Sequence, residues 1–273
     1  MTVRTKQEHA PVPCVLPGSS CTVGVMRVGL EQVRRDWTRL GSTEPLWAVC
    51  VDPDKRNDGW DDDEFLASGR AEIDPAMARL TELGIHPGGG KVLDFGCGAG
   101  RLSNALAAHF DEVVGVDISE PMLAEARRLD RSGGRITFTS NERSDLAIFD
   151  DNTFDLVYTD LVLQHLPPET AESYVGEFAR VTRPGGVLVL GVPETERRTF
   201  KGMVFRHAPW PLIALAQRVV LRYPAPMRMH TMRTERLVDL LPSGRFVASD
   251  EYWAGDHWQH LRHYVVLDGK EEA

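Results

Sequence analysis

One junction constrains this chain more than any other, a short strand that runs directly into a glycine loop and out into a helix. Val92-Leu93-Asp94-Phe95 is an apolar run, Gly96-Cys97-Gly98-Ala99-Gly100 follows at once, and 102–110 is rich in Ala and Leu at helical spacing. Glycines at such a turn let the main chain approach a ligand closely. The free N–H groups at the helix opening favour a negative group. The alternation continues. A strand is expected at 113–117, then a helix at 121–129 with Ser119 as N-cap and Pro121 in its first turn. Strands at 136–139 and 154–158, a helix at 168–181, a turn at Arg183-Pro184-Gly185-Gly186 and a strand at 187–191 follow.

Strands that alternate with helices imply an α/β fold with a doubly wound, mostly parallel sheet and helices on both faces. Two further strands at 246–251 and 263–267 would close a seven-stranded sheet with the last strand antiparallel. Ahead of this core, helices are expected at 30–40, 64–68 and 75–83, with a loop at 52–63. After residue 192 the alternation stops. A helix at 212–221 between prolines reads as an insertion, and one at 234–241 follows it. The expected organisation is a disordered tail at 1–28, broken up by Pro11, Pro13 and Pro17, with Met26 a candidate natural start. A helical cap spans 29–84, the cofactor-binding core 85–192, a lid or insertion 193–234, and a C-terminal helix with the closing strands 235–273.

The glycine spacing separates ligand classes. A dinucleotide fingerprint is G-x-G-x-x-G, whereas here Arg101 follows a G-x-G-x-G run and Asp94 stands two residues ahead of the first glycine. An acid has no use beside a pyrophosphate and suits a ligand that carries an ammonium group. Asp117 ends the next strand, where a carboxylate can accept both ribose hydroxyls. The chain also lacks a Tyr-x-x-x-Lys pair, which disfavours the rival reading of a nicotinamide-dependent oxidoreductase. A non-catalytic binding protein or sensor is the other alternative.

Residues 92–101 resemble motif I of the class I S-adenosylmethionine-dependent methyltransferases, in particular the small-molecule branch often called type 11. Val113-Val114-Gly115-Val116-Asp117-Ile118-Ser119, Phe154-Asp155-Leu156-Val157-Tyr158 and the turn 183–186 resemble the motifs that follow. The resemblance covers roughly 70–192. It implies S-adenosylmethionine as cofactor, S-adenosylhomocysteine as product, and methyl transfer to a small molecule, most readily at oxygen or nitrogen. It assigns Asp94 to the methionyl ammonium, Gly96, Cys97 and Gly98 to the loop under the methionine part, and Asp117 to the ribose. Ile118 and Met122 would wall the adenine, with core packing the other role for Met122. Glu142 or its neighbour Asn141 would read the adenine amino group. Thr159 and Leu161, after the fourth strand, complete the set. Arg70 either pairs with the cofactor carboxylate or is a solvated surface arginine. His165 is either a general base or a histidine that fixes its loop.

The net charge is −9, from 31 basic and 40 acidic residues, so nucleic acid is not an expected partner. No apolar run reaches the ~20 residues of a membrane span, and no membrane partner is expected on that ground. Residues 197–236 nevertheless carry nine basic side chains and one acid, Glu235, while 54–64 holds six acids. That imbalance suggests an acidic acceptor bound by Arg206, Arg228, His230 and Arg233, or basic groups that pair with the acidic loop. The cysteines show no metal-ligand or CxxC spacing, which suits reduced thiols and a cytoplasmic address. His257 and His263 would share one face of a strand and His260 the other, so no metal site is expected. A monomer or homodimer is expected.

Overall fold

The computed structural model describes residues 19–268 except 198 and 253–256. Helix α1 (Ser19–Thr43) and the short α2 (Pro45–Val49) lead into α3 (Asp62–Glu82). Helix α1 thus takes in 19–28 of the expected tail, and residues 1–18 lie outside the described residues. Two separate helices, at 64–68 and 75–83, were expected where the structure has α3, which contains Gly69 and Pro75. The helix runs through both. Phe65, Leu66, Gly69, Ile73, Ala76, Met77 and Leu80 recur at helical spacing and are all buried. Burial of that stripe outweighs the hydrogen bond that Pro75 removes. Asp61 caps the start, its Oδ1 accepting from Asp63 N at 2.9 Å and Glu64 N at 3.2 Å.

The core follows: β1 (Lys91–Phe95), α4 (Arg101–Leu106), β2 (Glu112–Asp117), α5 (Glu120–Arg128), β3 (Ile136–Ser140), β4 (Phe154–Asp160), α6 (Pro168–Val181) and β5 (Thr182–Glu196). The insertion carries α7 (Phe200–His207) and α8 (Trp210–Val219). Helix α9 (Thr234–Leu240), β6 (Gly244–Tyr252) and β7 (Trp258–Leu267) complete the order. The sheet order is β3-β2-β1-β4-β5-β7-β6, with β7 antiparallel to β5 and β6. The expected turn at 183–186 sits inside β5 as a register shift opposite Phe154 and Leu156, with Gly185 at φ 76°.

Alternation along the strands divides the core into two layers. Leu93, Phe95, Val114, Val116, Val157, Leu188 and Leu190 pack against α6, α9 and Leu30 of α1. Val92, Val113, Leu156, Tyr158, Val187 and Val189 face α3 and α4. Strand order reverses between β1 and β4, so a crevice opens beyond their carboxyl ends.

Candidate active site

That crevice is a cleft of about 860 Å³, measured out to its open mouth. Its floor is the loop after β1. Gly96 and Cys97 donate their N–H groups to the Val116 carbonyl at 2.7 and 3.0 Å, which binds the loop to the end of β2. Gly96 and Gly98 have φ of 76° and 52°, the left-handed region in which a Cβ is strained. A Cβ on Gly98 would also stand 2.6 Å from Val49 Cγ2, so glycine keeps the floor open under the cap.

Asp117 closes the other side. Its Oδ2 accepts from Gly98 N at 2.9 Å and its Oδ1 from Ser119 N at 2.8 Å. Each oxygen keeps acceptor capacity for a hydroxyl. Burial pushes this carboxyl up to about 6 against the pull of those N–H groups. Ile118 lines the cleft beside it. Asn141 also lines the cleft, and its main-chain N–H donates to the Asp117 carbonyl at 3.0 Å. Glu142 points elsewhere. It is exposed, 3.3 Å from Arg34, in an adjoining groove. Of the two candidates for reading adenine, the structure brings Asn141 to the cleft.

Other expected residues separate in the same way. Cys97 and Leu161 line the cleft, Leu161 with φ 58°. Met122 is fully buried in a cluster with Leu40 and Trp47, the packing role. Thr159 is buried and outside the cleft lining. Arg70 is exposed on α3 and does not reach the cleft. Asp94 lies behind the wall, only 1% exposed, and accepts from Ser103 Oγ at 2.5 Å. Burial pushes its carboxyl up to about 7, with Ser103 and Arg101 drawing it down.

His165 lines the cleft from the turn after β4. Its Nδ1 lies 2.6 Å from the Arg228 carbonyl. A carbonyl only accepts, so Nδ1 carries the proton and Nε2 is the ring's acceptor. Burial pushes this imidazole down to about 4, so it is neutral near pH 7. Trp37 of α1 packs edge-on against the ring, with centroids 5.1 Å apart. The apolar walls come from Leu30, Val33, Trp37, Leu102, Val162 and Leu166.

The basic residues expected to hold an acceptor do not converge there. Arg228 offers His165 its carbonyl, while its guanidinium lies 5.2 Å from the Trp210 ring centroid. His230 and Arg233 line a separate groove behind Leu163 and Leu166. The Arg206 side chain lies outside the described residues.

Sequence reasoning missed a buried charge network at the cleft's inner end. Arg101 and Asp160 both line the cleft. Arg101 pairs with Glu72 at 2.7 Å, and Arg262 bonds Asp160 through Nη2 and Nε, and Glu72 at 3.3 Å. Tyr252 donates to Asp160 as well. Arg101 Nε is buried without a hydrogen-bond partner. The signal for Arg101 was its place directly after the glycine loop. Arg262, about 100 residues from Asp160 in the chain, left none. His260 and His263 are buried in β7, where His263 Nδ1 meets Ser249 Oγ at 2.7 Å. Among the described residues no group of His, Cys, Asp and Glu is placed to hold a metal.

A methyltransferase-domain family model matches residues 92–186. The chain is 33% identical over 135 residues to a ubiquinone biosynthesis O-methyltransferase of Aromatoleum aromaticum, which is 49% of this chain and 56% of that protein. It is 35% identical over 143 residues to a trans-aconitate 2-methyltransferase of Variovorax paradoxus, 50% of this chain and 52% of that one. The chain thus spans about half the length of these curated relatives. Among solved structures, the magnesium protoporphyrin IX methyltransferase of Synechocystis PCC 6803 with bound S-adenosylhomocysteine superposes with a TM-score of 0.58. It is 22% identical and covers 86% of this chain and 99% of that one, a likeness of fold.

Proposed function

We propose that this chain, which carries a class I S-adenosylmethionine-dependent methyltransferase domain, methylates a small molecule with an apolar body at an oxygen or nitrogen atom. The observation that carries this reading is the pairing of Asp117 with the glycine floor. A carboxylate held by two main-chain N–H groups faces a floor that side chains would fill. That arrangement fits a ribose beside a thin, extended chain, and the cofactor is S-adenosylmethionine. When bound, the cofactor supplies an electrophilic methyl on a sulfonium for in-line displacement by the acceptor atom.

The protein's own residues then have three tasks. Asp117 accepts the ribose hydroxyls, and Asn141 stands where the base would lie. The unpartnered Arg101 Nε is suited to a carboxylate at the inner end of the cleft. Trp37, Leu30 and Val33 of α1 give the cleft an apolar wall against which the acceptor would be aligned. His165 presents Nε2 as a hydrogen-bond acceptor for a hydroxyl or amine. With its conjugate acid near 4, the ring positions that group more than it removes the proton. The two described free cysteines, Cys50 and Cys97, suit a reducing cytoplasmic setting.

Calorimetry tests the cofactor, and transfer of radiolabelled methyl to a panel of apolar phenols, amines and acids tests the activity. S-adenosylhomocysteine is expected to bind and NAD not to bind. NAD binding without S-adenosylhomocysteine binding would reverse the assignment. Cofactor binding with no turnover on any acceptor would favour the sensor.

A further inference from the structure

Helix α8 wears its amphipathic pattern inside out. Leu212, Leu215, Ala216 and Val219 recur at i, i+3, i+4 and i+7, and this stripe faces solvent. Leu212, Leu215 and Val219 are 59%, 57% and 66% exposed, and Val220 and Leu221 just beyond are 74% and 50% exposed. The inward face carries Gln217. Its Oε1 accepts from Met227 N at 3.0 Å and its Nε2 donates to the Met227 carbonyl at 3.2 Å. A polar clasp helps to fix the helix, with Ile213 and Ala214 half-buried beside it, and the outer aliphatic stripe is left uncovered. A surface of that kind marks an interaction site.

Charge selects what covers it. Arg218 and Arg222 are exposed beside the stripe, and α8 contains no acid. Residues 197–236 hold nine basic groups against one acid, whereas the rest of the chain holds 22 basic against 39 acidic residues. An anionic surface repels most of this protein and attracts this segment, which orients the stripe toward it. A second copy docked on this face across a two-fold axis would bring both copies of Arg218 and Arg222 into one interface to which α8 contributes no acid. Protein interfaces centre on aromatic and arginine anchors, and the stripe is wholly aliphatic.

We propose that α8 and the turn after it lie in the surface of an anionic lipid bilayer, with the aliphatic stripe at the acyl boundary and Arg218 and Arg222 among the headgroups. A ten-residue helix is about 15 Å long and cannot span a bilayer. Among the described residues no helix is long and apolar enough to cross one. The expectation of no membrane partner rested on span length, which has no bearing on a helix that lies in the plane. The opposite, inward face of α8 is linked to the cleft through Arg228. Trp210 opens α8 and receives the Arg228 guanidinium, and the Arg228 carbonyl holds His165. Bilayer binding does not depend on methyl transfer, so the two readings stand or fall separately.

The test is co-sedimentation of the full chain with vesicles of phosphatidylglycerol and phosphatidylcholine in equal parts, and of phosphatidylcholine alone, at low and high salt. Binding to the anionic vesicles is expected at low salt, weakened by high salt and by removal of phosphatidylglycerol. The double variant Leu215→Glu, Val219→Glu is expected to bind them at least about tenfold more weakly, with unchanged melting temperature and S-adenosylhomocysteine affinity. Three results would overturn the proposal. They are equal binding to both vesicle types at low salt, variant binding equal to wild type, and a wild-type dimer that the variant converts to monomer.

Discussion

Asp94 is a carboxyl that the fold holds against its own preference, and this gives a stability measurement with a definite sign. It is 1% exposed, its Oδ2 accepts one hydrogen bond from Ser103, and its proton affinity is pushed from 3.8 up to about 7. A folded-state value above the unfolded one means that the folded chain binds the proton more readily. Its contribution to stability is therefore greatest below about pH 4 and is lost as pH rises toward 7. At 1.36 kcal/mol for each tenfold, the raised value lowers stability, relative to low pH, by about 4 kcal/mol at pH 7 and about 2 kcal/mol at pH 5, because the unfolded chain ionises first. Asp94→Asn removes the charge and keeps an oxygen for Ser103. The variant without cofactor is expected to melt on the order of 8 °C higher than wild type at pH 7, with the gain about halved at pH 5. Differential scanning calorimetry across that range is the assay. An unchanged or lower melting temperature at pH 7, or a gain that does not shrink with acid, would refute the reasoning.

Three other outcomes follow from the same geometry. Asp117→Ala is expected to weaken S-adenosylhomocysteine binding by about 2 kcal/mol through lost charge-assisted hydrogen bonds. With this carboxyl at about 6, wild-type Kd is expected to rise roughly tenfold from pH 7 to pH 5, and Asp117→Asn to flatten that dependence, both read by calorimetry. His165→Gln is expected to lower kcat on the order of tenfold with cofactor affinity intact. The wild-type profile of log kcat should show no limb near pH 6.5, and such a limb that vanished in the variant would show that the ring titrates there. Arg262→Met is expected to destabilise by about 3–5 kcal/mol in urea unfolding, because Asp160 and Glu72 lose a buried partner.

What was legible in the sequence was what lies on consecutive residues. The glycine loop, Asp117 at a strand end and the αβ alternation are each local patterns, and each predicts its own position in a doubly wound sheet. Asn141 and Glu142 could not be separated by counting, because neighbours on a loop after a strand turn to opposite sides. One meets the cleft and the other meets Arg34. The expected break between 64–68 and 75–83 reflects local propensity, whereas the buried stripe that carries α3 through Gly69 and Pro75 is a tertiary effect. The network of Glu72, Arg101, Asp160 and Arg262 joins residues as far as 190 positions apart, so no spacing announces it. Counting arginines in 197–236 found an imbalance of charge and could not give its neighbours, since Arg228 reaches His165 through its main-chain carbonyl while its guanidinium lies over Trp210.

One side chain ties the two parts that flank the cleft to each other. Arg56, in the loop between α2 and α3, donates to the carbonyls of Leu221 and Arg222 at 3.3 and 3.0 Å, just past α8. Its guanidinium pairs with Glu44 at 3.1 Å and lies 4.2 Å from the Trp47 ring centroid. One arginine therefore joins the N-terminal cap to the insertion, and the charge-assisted bonds involved are among the stronger kinds. The family match ends at residue 186 and begins at 92, so both covering elements fall outside it. The glycine floor and Asp117 are set on strand ends by main-chain hydrogen bonds. Of the covering elements, Trp37 and Val49 line the cleft itself. A change at Arg56 would loosen the tie between cap and insertion while leaving the main-chain bonds of the glycine floor in place.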